Sequence, residues 1–299
     1  MALAASPFQG LPLTGSSAPP TDLPPLVPGR PDLLEQLPAL EALVRRAGDA
    51  VLAVYAQPFR VEAKGDGSPV TAADRAAEAI LAPALAALLP GVPVVAEEAA
   101  ANGDVPVVDP DGRFWLVDPL DGTREFVARN GEFTVNVALV EGGEPVVGVV
   151  LAPALDLLFV GLVGHGAWRV ANGRREPIAA RPARDGWVVA YSRSHRDART
   201  EAWLEGRPVA ERRAAGSSLK FGLVATGEAD VYPRLGRTME WDTAAGHAVL
   251  RAAGGCVLDL DGRPLRYGKP GFENPDFVAW GDPACAATRA AAGAPPAQG

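Results

Sequence analysis

Asp118 and Asp121 stand three residues apart in the run Trp115-Leu116-Val117-Asp118-Pro119-Leu120-Asp121-Gly122-Thr123. Two carboxylates and a carbonyl in so short a stretch are hard oxygen donors. A cation such as Mg²⁺ takes such donors while sharing its sphere with substrate phosphates. Pro119 fixes its own φ and biases Asp118 toward extended geometry, so the turn can aim both acids and the Leu120 carbonyl at one point. Gly122 lets the backbone approach a ligand closely, and Thr123 opens a predicted helix whose N-terminus is a natural anion seat. Adjacent metal and phosphate seats point to Mg²⁺-dependent hydrolysis of a phosphate ester.

Further acids compete for the same cluster. Glu97 and Glu98 end a predicted strand, and Asp242 follows Trp241. Each has a plain alternative, because surface carboxylates are mostly solvated and Asp242 stands where a helix N-cap belongs. Asp74, three residues after Thr71, fits the acid of a capping box. The combination carries more than any member: each acid sits at the end of an element, where functional residues concentrate.

These acids need elements to hold them. Leu33, Leu37, Leu40, Val44, Ala47 and Val51 recur at helical spacing, predicting a helix to about Tyr55. A second helix runs from Thr71 to Leu88 and stops at Pro90-Gly91. Val92–Ala96 and Phe114–Val117 read as strands that deliver Glu97 and the Asp118 turn. Phe133–Val163 reads as antiparallel strands around the Gly142-Gly143 turn, continued by Ala167–Val170 and the Asn172-Gly173 turn. Beyond about Arg184 strands alternate with helices: strand Trp187–Tyr191, helices Ala198–Leu204 and Ser217–Thr226, strand Ala229–Tyr232, helix Asp242–Ala253. The fold class is α+β followed by α/β. The expected organisation is a Pro/Gly/Ser-rich disordered leader over 1–31, an α+β metal-binding half over 32–183, and an α/β substrate-binding half over 184–299. The tail is expected to be flexible after about 283.

A chain of 299 residues with net charge −8 lacks the basic face that broad nucleic-acid binding needs. Its two cysteines imply no disulfide framework and fit a reducing cytoplasm. No apolar run approaches the roughly 20 residues of a membrane span. The N-terminus shows no secretion signal. A cytoplasmic monomer or homodimer is expected, with peripheral inner-membrane association left open.

With Glu97-Glu98, Asp118-Pro119-Leu120-Asp121-Gly122-Thr123 and Trp241-Asp242 in this order, the chain resembles the inositol monophosphatase superfamily of Mg²⁺-dependent, lithium-sensitive phosphatases. Finer segments resemble its bacterial 3'(2'),5'-bisphosphate nucleotidase branch: Gly67–Asp74, Thr123–Phe126, Arg129–Asn136, Ser192–His195, Gly216–Lys220 and Trp241–Ala248. The resemblance implies a layered α-β-α-β-α sandwich of the inositol monophosphatase and fructose-1,6-bisphosphatase type. It implies two or three Mg²⁺ ions on Glu97, Asp118, the Leu120 carbonyl, Asp121 and Asp242, with Lys64 as a charge near the third. Asp74 and Thr123 become the water-activating pair. Ser192, His195, Gly216 and Lys220 become substrate contacts.

The residues add detail to that picture. Gly122 and Thr123 offer N–H groups to the transferred phosphate, and Gly216-Ser217-Ser218 precedes a helix that could seat a second one beside Lys220. Arg234 suits a phosphorylated ligand better than a bare polyol. His165 and His247 show no ligand partners and read as structural. The expected reaction converts 3'-phosphoadenosine 5'-phosphate to AMP and phosphate, clearing a by-product of sulfate assimilation, with 3'-phosphoadenosine 5'-phosphosulfate as a second substrate. The alternatives are an inositol-1-phosphate or other sugar-phosphate phosphatase, and a metal-dependent nucleotide-binding regulator without turnover.

Overall fold

The apolar stripe from Leu33 to Val51 forms one face of helix α1 (Pro31–Tyr55), which the computed structural model buries against a sheet. The structure describes residues 31–63, 69–193 and 197–290. A short antiparallel ladder, β1 (Glu62–Ala63) with β2 (Pro69–Val70), leads into α2 (Ala72–Leu88). Thr71 starts α2 with the expected capping box. Its Oγ1 accepts from Ala73 N–H at 3.1 Å, and its own N–H donates to Asp74 Oδ2 at 2.8 Å.

Next come β3 (Val94–Ala96), α3 (Glu97–Ala101), β4 (Arg113–Asp121) and α4 (Thr123–Val127). A meander follows: β5 (Thr134–Glu141), β6 (Glu144–Ala152), β7 (Leu157–Leu162), β8 (Gly166–Ala171) and β9 (Arg174–Ile178). Strands β3 to β9 make a seven-stranded sheet in sequence order, antiparallel apart from the parallel β3–β4 pair.

The second sheet is built from β10 (Trp187–Ser192), β11 (Val209–Ala215), β12 (Val231–Arg234), β13 (Cys256–Asp259) and β14 (Phe277–Trp280), in the order β11-β10-β12-β14-β13. Strand β10 is parallel to β11 and β12, while β14 is antiparallel to β12 and β13. Between these strands run α5 (Ala198–Leu204), α6 (Leu219–Ala225) and α7 (Glu240–Ala252), with α8 (Pro283–Ala290) last.

Three apolar clusters order these parts into layers. On β5, Val135, Val137 and Leu139 pack with α1 and α2, while Ala138 and Val140 face a second cluster holding α6, α7, Tyr232 and Phe277. That is the period-2 alternation of a sheet buried on both faces. Leu204 and Ala286 cover the far side of the second sheet. The result is the layered α-β-α-β-α sandwich. Helix α7 lies so close to the first sheet that a Cβ on Gly148 would sit 2.2 Å from the Ala245 carbonyl oxygen.

Several expectations change. Of the tail expected to be flexible after about 283, the described part forms α8 (Pro283–Ala290), with Ala286 buried, and 291–299 lie outside the described residues. The helix expected over Ser217–Thr226 begins only at Leu219, because Ser217 adopts φ 53°. Helix α7 begins at Glu240, so Asp242 is its third residue and not its N-cap; Asp242 Oδ2 accepts Met239 N–H at 2.8 Å. Strands β11, β13 and β14 were not anticipated. The leader, Lys64 and His195 lie outside the described residues. Among the described residues no helix is long and apolar enough to cross a membrane.

Candidate active site

The Asp-Pro-Leu-Asp turn is a β-bulge inside β4. Asp118 pairs with Asn136 and Asp121 with Thr134, so two residues of β4, Pro119 and Leu120, oppose Val135 alone. In a regular strand, residues three apart face opposite ways; the extra residue turns both acids to one face. Asp118 Oδ1 accepts Leu120 N–H at 3.0 Å, which tightens the bulge. Gly122 takes φ 86° between β4 and α4, where an added Cβ would press on Glu125 Oε2 and Ser217 Cβ, each at 3.2 Å. A side chain there would be strained as well as crowded.

Other elements bring the remaining acids. Strand β3 is parallel to β4 and ends at Ala96, one residue before Glu97. The start of α3 is held by Glu78 of α2, whose Oε2 and Oε1 accept Glu98 N–H and Ala99 N–H at 2.8 and 2.9 Å. Helix α7 supplies Asp242 from the second half of the chain, so the acidic cluster is not confined to 32–183.

These carboxylates feel each other. Burial first, then Glu97, Asp121 and Asp242, hold the Asp118 carboxyl well above the usual range; Glu97 also shares a hydrogen bond with it. Burial, then Asp121 and Glu97, push Asp242 up to about 8. A divalent cation with all-oxygen ligands would relieve that repulsion, so the donor set fits Mg²⁺. Among the described residues no three acidic, histidine or cysteine side chains are already closed into an ion cage. Protein donors hold them instead: Asp121 Oδ2 accepts from Ser217 Oγ at 2.6 Å and Ser218 Oγ at 3.2 Å, and Asp242 Oδ2 is on Met239.

The cluster opens into a cleft of about 290 Å³ lined by Glu97, Asp121 and Asp242 together with Lys220, Tyr232 and Arg234. Gly122, Thr123, Ser192 and Ser217 line it too. Lys220 is 5 % exposed; its Nζ lies 5.3 Å from the Tyr232 ring centroid and donates to the Ser217 carbonyl. Burial lowers its pKa to about 8 despite the nearby Asp121. The buried Arg234 Nε has no protein partner.

Some expected contacts are not made. Asp74 and the Thr123 hydroxyl do not hydrogen-bond: Thr71 N–H and Oγ1 both donate to Asp74 Oδ2 at 2.8 Å, and Thr123 Oγ1 donates to Leu120 O at 3.4 Å. The capping box competes for Asp74, leaving its buried Oδ1 unpaired. Burial raises the Asp74 carboxyl to about 6. Gly216 does not line the cleft, because its N–H donates to Glu132 Oε2 at 2.8 Å. The Ser217 hydroxyl, although in the cleft wall, is engaged by Asp121 and Thr134. Its left-handed backbone costs on the order of 1–2 kcal/mol, so its neighbours must hold it there. His247 is buried with Nδ1 2.9 Å from Tyr267 Oη, a structural contact.

Asn136 was given no role in the sequence, yet its Nδ2 donates to Ser218 Oγ at 3.0 Å and approaches Asp121 Oδ2 at 3.4 Å. The available signal was a lone amide in the apolar run Thr134–Val140, since a buried polar group needs partners.

Residues 32–294 match the model of the inositol monophosphatase family. The 3'(2'),5'-bisphosphate nucleotidase CysQ of Escherichia coli (strain K12) is 48% identical over 246 residues, covering 79% of this chain and 95% of the relative. Among solved structures, CysQ from Bacteroides thetaiotaomicron superposes with a TM-score of 0.69 at 38% identity, covering 83% of this chain and 98% of that one. An inositol monophosphatase from Anabaena superposes with a TM-score of 0.70 at 27% identity, covering 89% and 98%.

Proposed function

Since the chain belongs to the inositol monophosphatase family, we propose that it is a Mg²⁺-dependent phosphatase that removes the 3'-phosphate of 3'-phosphoadenosine 5'-phosphate, releasing AMP and phosphate. The phosphosulfate analogue is its second substrate. The observation that carries this reading is that one cleft is lined by the acids Glu97, Asp121 and Asp242 and by the cations Lys220 and Arg234. The acids suit a phosphate accompanied by metal ions. The cations suit a second anion, which a bisphosphate has and an inositol monophosphate lacks.

Glu97, Asp118, the Leu120 carbonyl, Asp121 and Asp242 would hold the cations, two or three in number. Bound there, Mg²⁺ supplies positive charge for the phosphoryl oxygens and acidifies a water. The chain's own groups do the rest. The N–H groups of Gly122 and Thr123 cradle the phosphoryl group to be transferred. Asp74 Oδ1, buried and without a partner, accepts the proton of the attacking water as its oxygen bonds to phosphorus. The bond from phosphorus to the ribose 3'-oxygen breaks, and that oxygen is protonated from solvent. Lys220, Arg234, Ser192 and His195 orient the nucleotide.

Initial rates of phosphate release from 3'-phosphoadenosine 5'-phosphate and from inositol 1-phosphate, measured side by side with Mg²⁺, test this. A charged contact to the second phosphate is worth a factor of about ten or more, so kcat/KM should favour the nucleotide by at least that. Equal or reversed preference would keep the metal site and overturn the substrate.

A further inference from the structure

Glu132 and Arg193 belong to no step above, yet they make a largely buried, bidentate ion pair between the two halves of the chain. Glu132 precedes β5 of the first sheet, is 1 % exposed, and accepts three donors from the other half. Arg193, just past β10, donates Nε to Oε2 at 2.8 Å and Nη2 to Oε1 at 2.9 Å. Gly216 N–H is the third donor, at 2.8 Å. Arg193 Nη2 also donates to the Ala214 carbonyl at 3.1 Å, so the same guanidinium grips the chain just before Gly216. No other residue fits at 216: an added Cβ would lie 2.5 Å from the Glu132 carbonyl oxygen and 2.7 Å from Glu125 Cγ.

What this pair fixes is the next residue. Ser217 is held in the left-handed region, with its carbonyl on Lys220 Nζ and its hydroxyl on Asp121 Oδ2 at 2.6 Å. A buried ion pair is a poor source of stability, because desolvation cancels most of its attraction. A bidentate pair that sets one turn is a good source of geometry.

We propose that Glu132 and Arg193 are positioning residues: they latch the end of β10 to the start of β5, and through Ser217 they orient Asp121 as a metal ligand. The latch rests on the metal reading given above. Losing such outer support weakens metal binding by about 10–100-fold in other sites.

The test is Mn²⁺ titration of the metal-free full chain, with free Mn²⁺ followed by electron paramagnetic resonance, and a thermal melt to confirm folding of each variant. The variants are Arg193→Lys, which keeps the charge and loses the fork, Glu132→Gln as a second way into the latch, Ser217→Ala, and Arg193→Lys combined with Ser217→Ala. Arg193→Lys, Glu132→Gln and Ser217→Ala should each weaken Mn²⁺ binding by about tenfold, and the double variant should be no weaker than the worse single, since both act on one path. Wild-type Mn²⁺ affinity in folded Arg193→Lys and Glu132→Gln, or fully additive losses in the double variant, would overturn the latch alone. Absence of Mn²⁺ binding by the wild-type chain would overturn the metal reading and the latch with it.

Discussion

Asp118 and Asp121 face the same way although they stand three positions apart, because a bulge in β4 places them opposite Asn136 and Thr134, two positions apart on β5. The proline between them is therefore a device for aiming charge. The other acids arrive independently: β3 leads to Glu97 and α7 carries Asp242, close enough for the carboxylates to feel each other.

Asp118→Asn should separate chemistry from stability. Asp118 is 1 % exposed, and its charged form is opposed by burial and three neighbouring carboxylates. Turnover should fall by more than the roughly 100-fold typical of losing an outer partner. The metal-free protein should melt no lower than wild type, because a buried repulsive charge has gone. Retained turnover in a phosphate-release assay would remove Asp118 from the metal site.

Asp242→Asn gives a pH signature. Burial, then Asp121 and Glu97, place the folded carboxyl at about 8, above its unfolded value of about 3.9. The folded state therefore holds an extra proton between those values. The stability this group contributes is present below about pH 4 and is lost as pH rises through about 8. Asparagine does not ionise. In chelator, the melting temperature of the variant relative to wild type should climb between pH 5 and pH 8.5, and saturating Mg²⁺ should shrink the difference. A difference independent of pH would place the Asp242 carboxyl in the ordinary range.

Much of this was legible in order along the chain, and the reasons are local. Thr71 with Asp74 is a capping box written within four consecutive residues, and α1 follows from a stripe of leucines and valines. What was missed depends on contacts far apart in sequence. Strand β11 carries Glu211, Arg212 and Arg213 at a sheet edge, so it lacks the apolar alternation that marks a strand. Glu132 and Arg193 are 61 residues apart and leave no short-range signature. The Asp242 acid does close the start of α7, but from the third helical position, where its carboxylate accepts Met239 N–H, and not from the cap. A Gly-Ser-Ser before a helix looks the same in sequence whatever its groups meet; in the structure Gly216 N–H meets Glu132 and the Ser217 hydroxyl meets Asp121 at the cleft wall.

Lys220 should set the alkaline limit of substrate capture. Burial lowers its pKa to about 8, so its charge is lost as pH passes that value and the cleft's hold on an anion weakens. For the nucleotide bisphosphate, kcat/KM should fall above about pH 8. Lys220→Gln should raise KM by about tenfold at neutral pH, the size of one charged hydrogen bond, and flatten that limb. An unchanged alkaline limb in the variant would assign the titration elsewhere.

The most direct measurement is ³¹P NMR of 3'-phosphoadenosine 5'-phosphate incubated with the protein and Mg²⁺, with a chelator control. The acidic cluster, read as a metal site, and the cleft cations Lys220 and Arg234 together predict that the 3'-phosphate resonance disappears into inorganic phosphate while the 5'-phosphate persists as AMP, and that chelator stops the conversion. Release of the 5'-phosphate, conversion unaffected by chelator, or an unchanged spectrum would contradict the assignment.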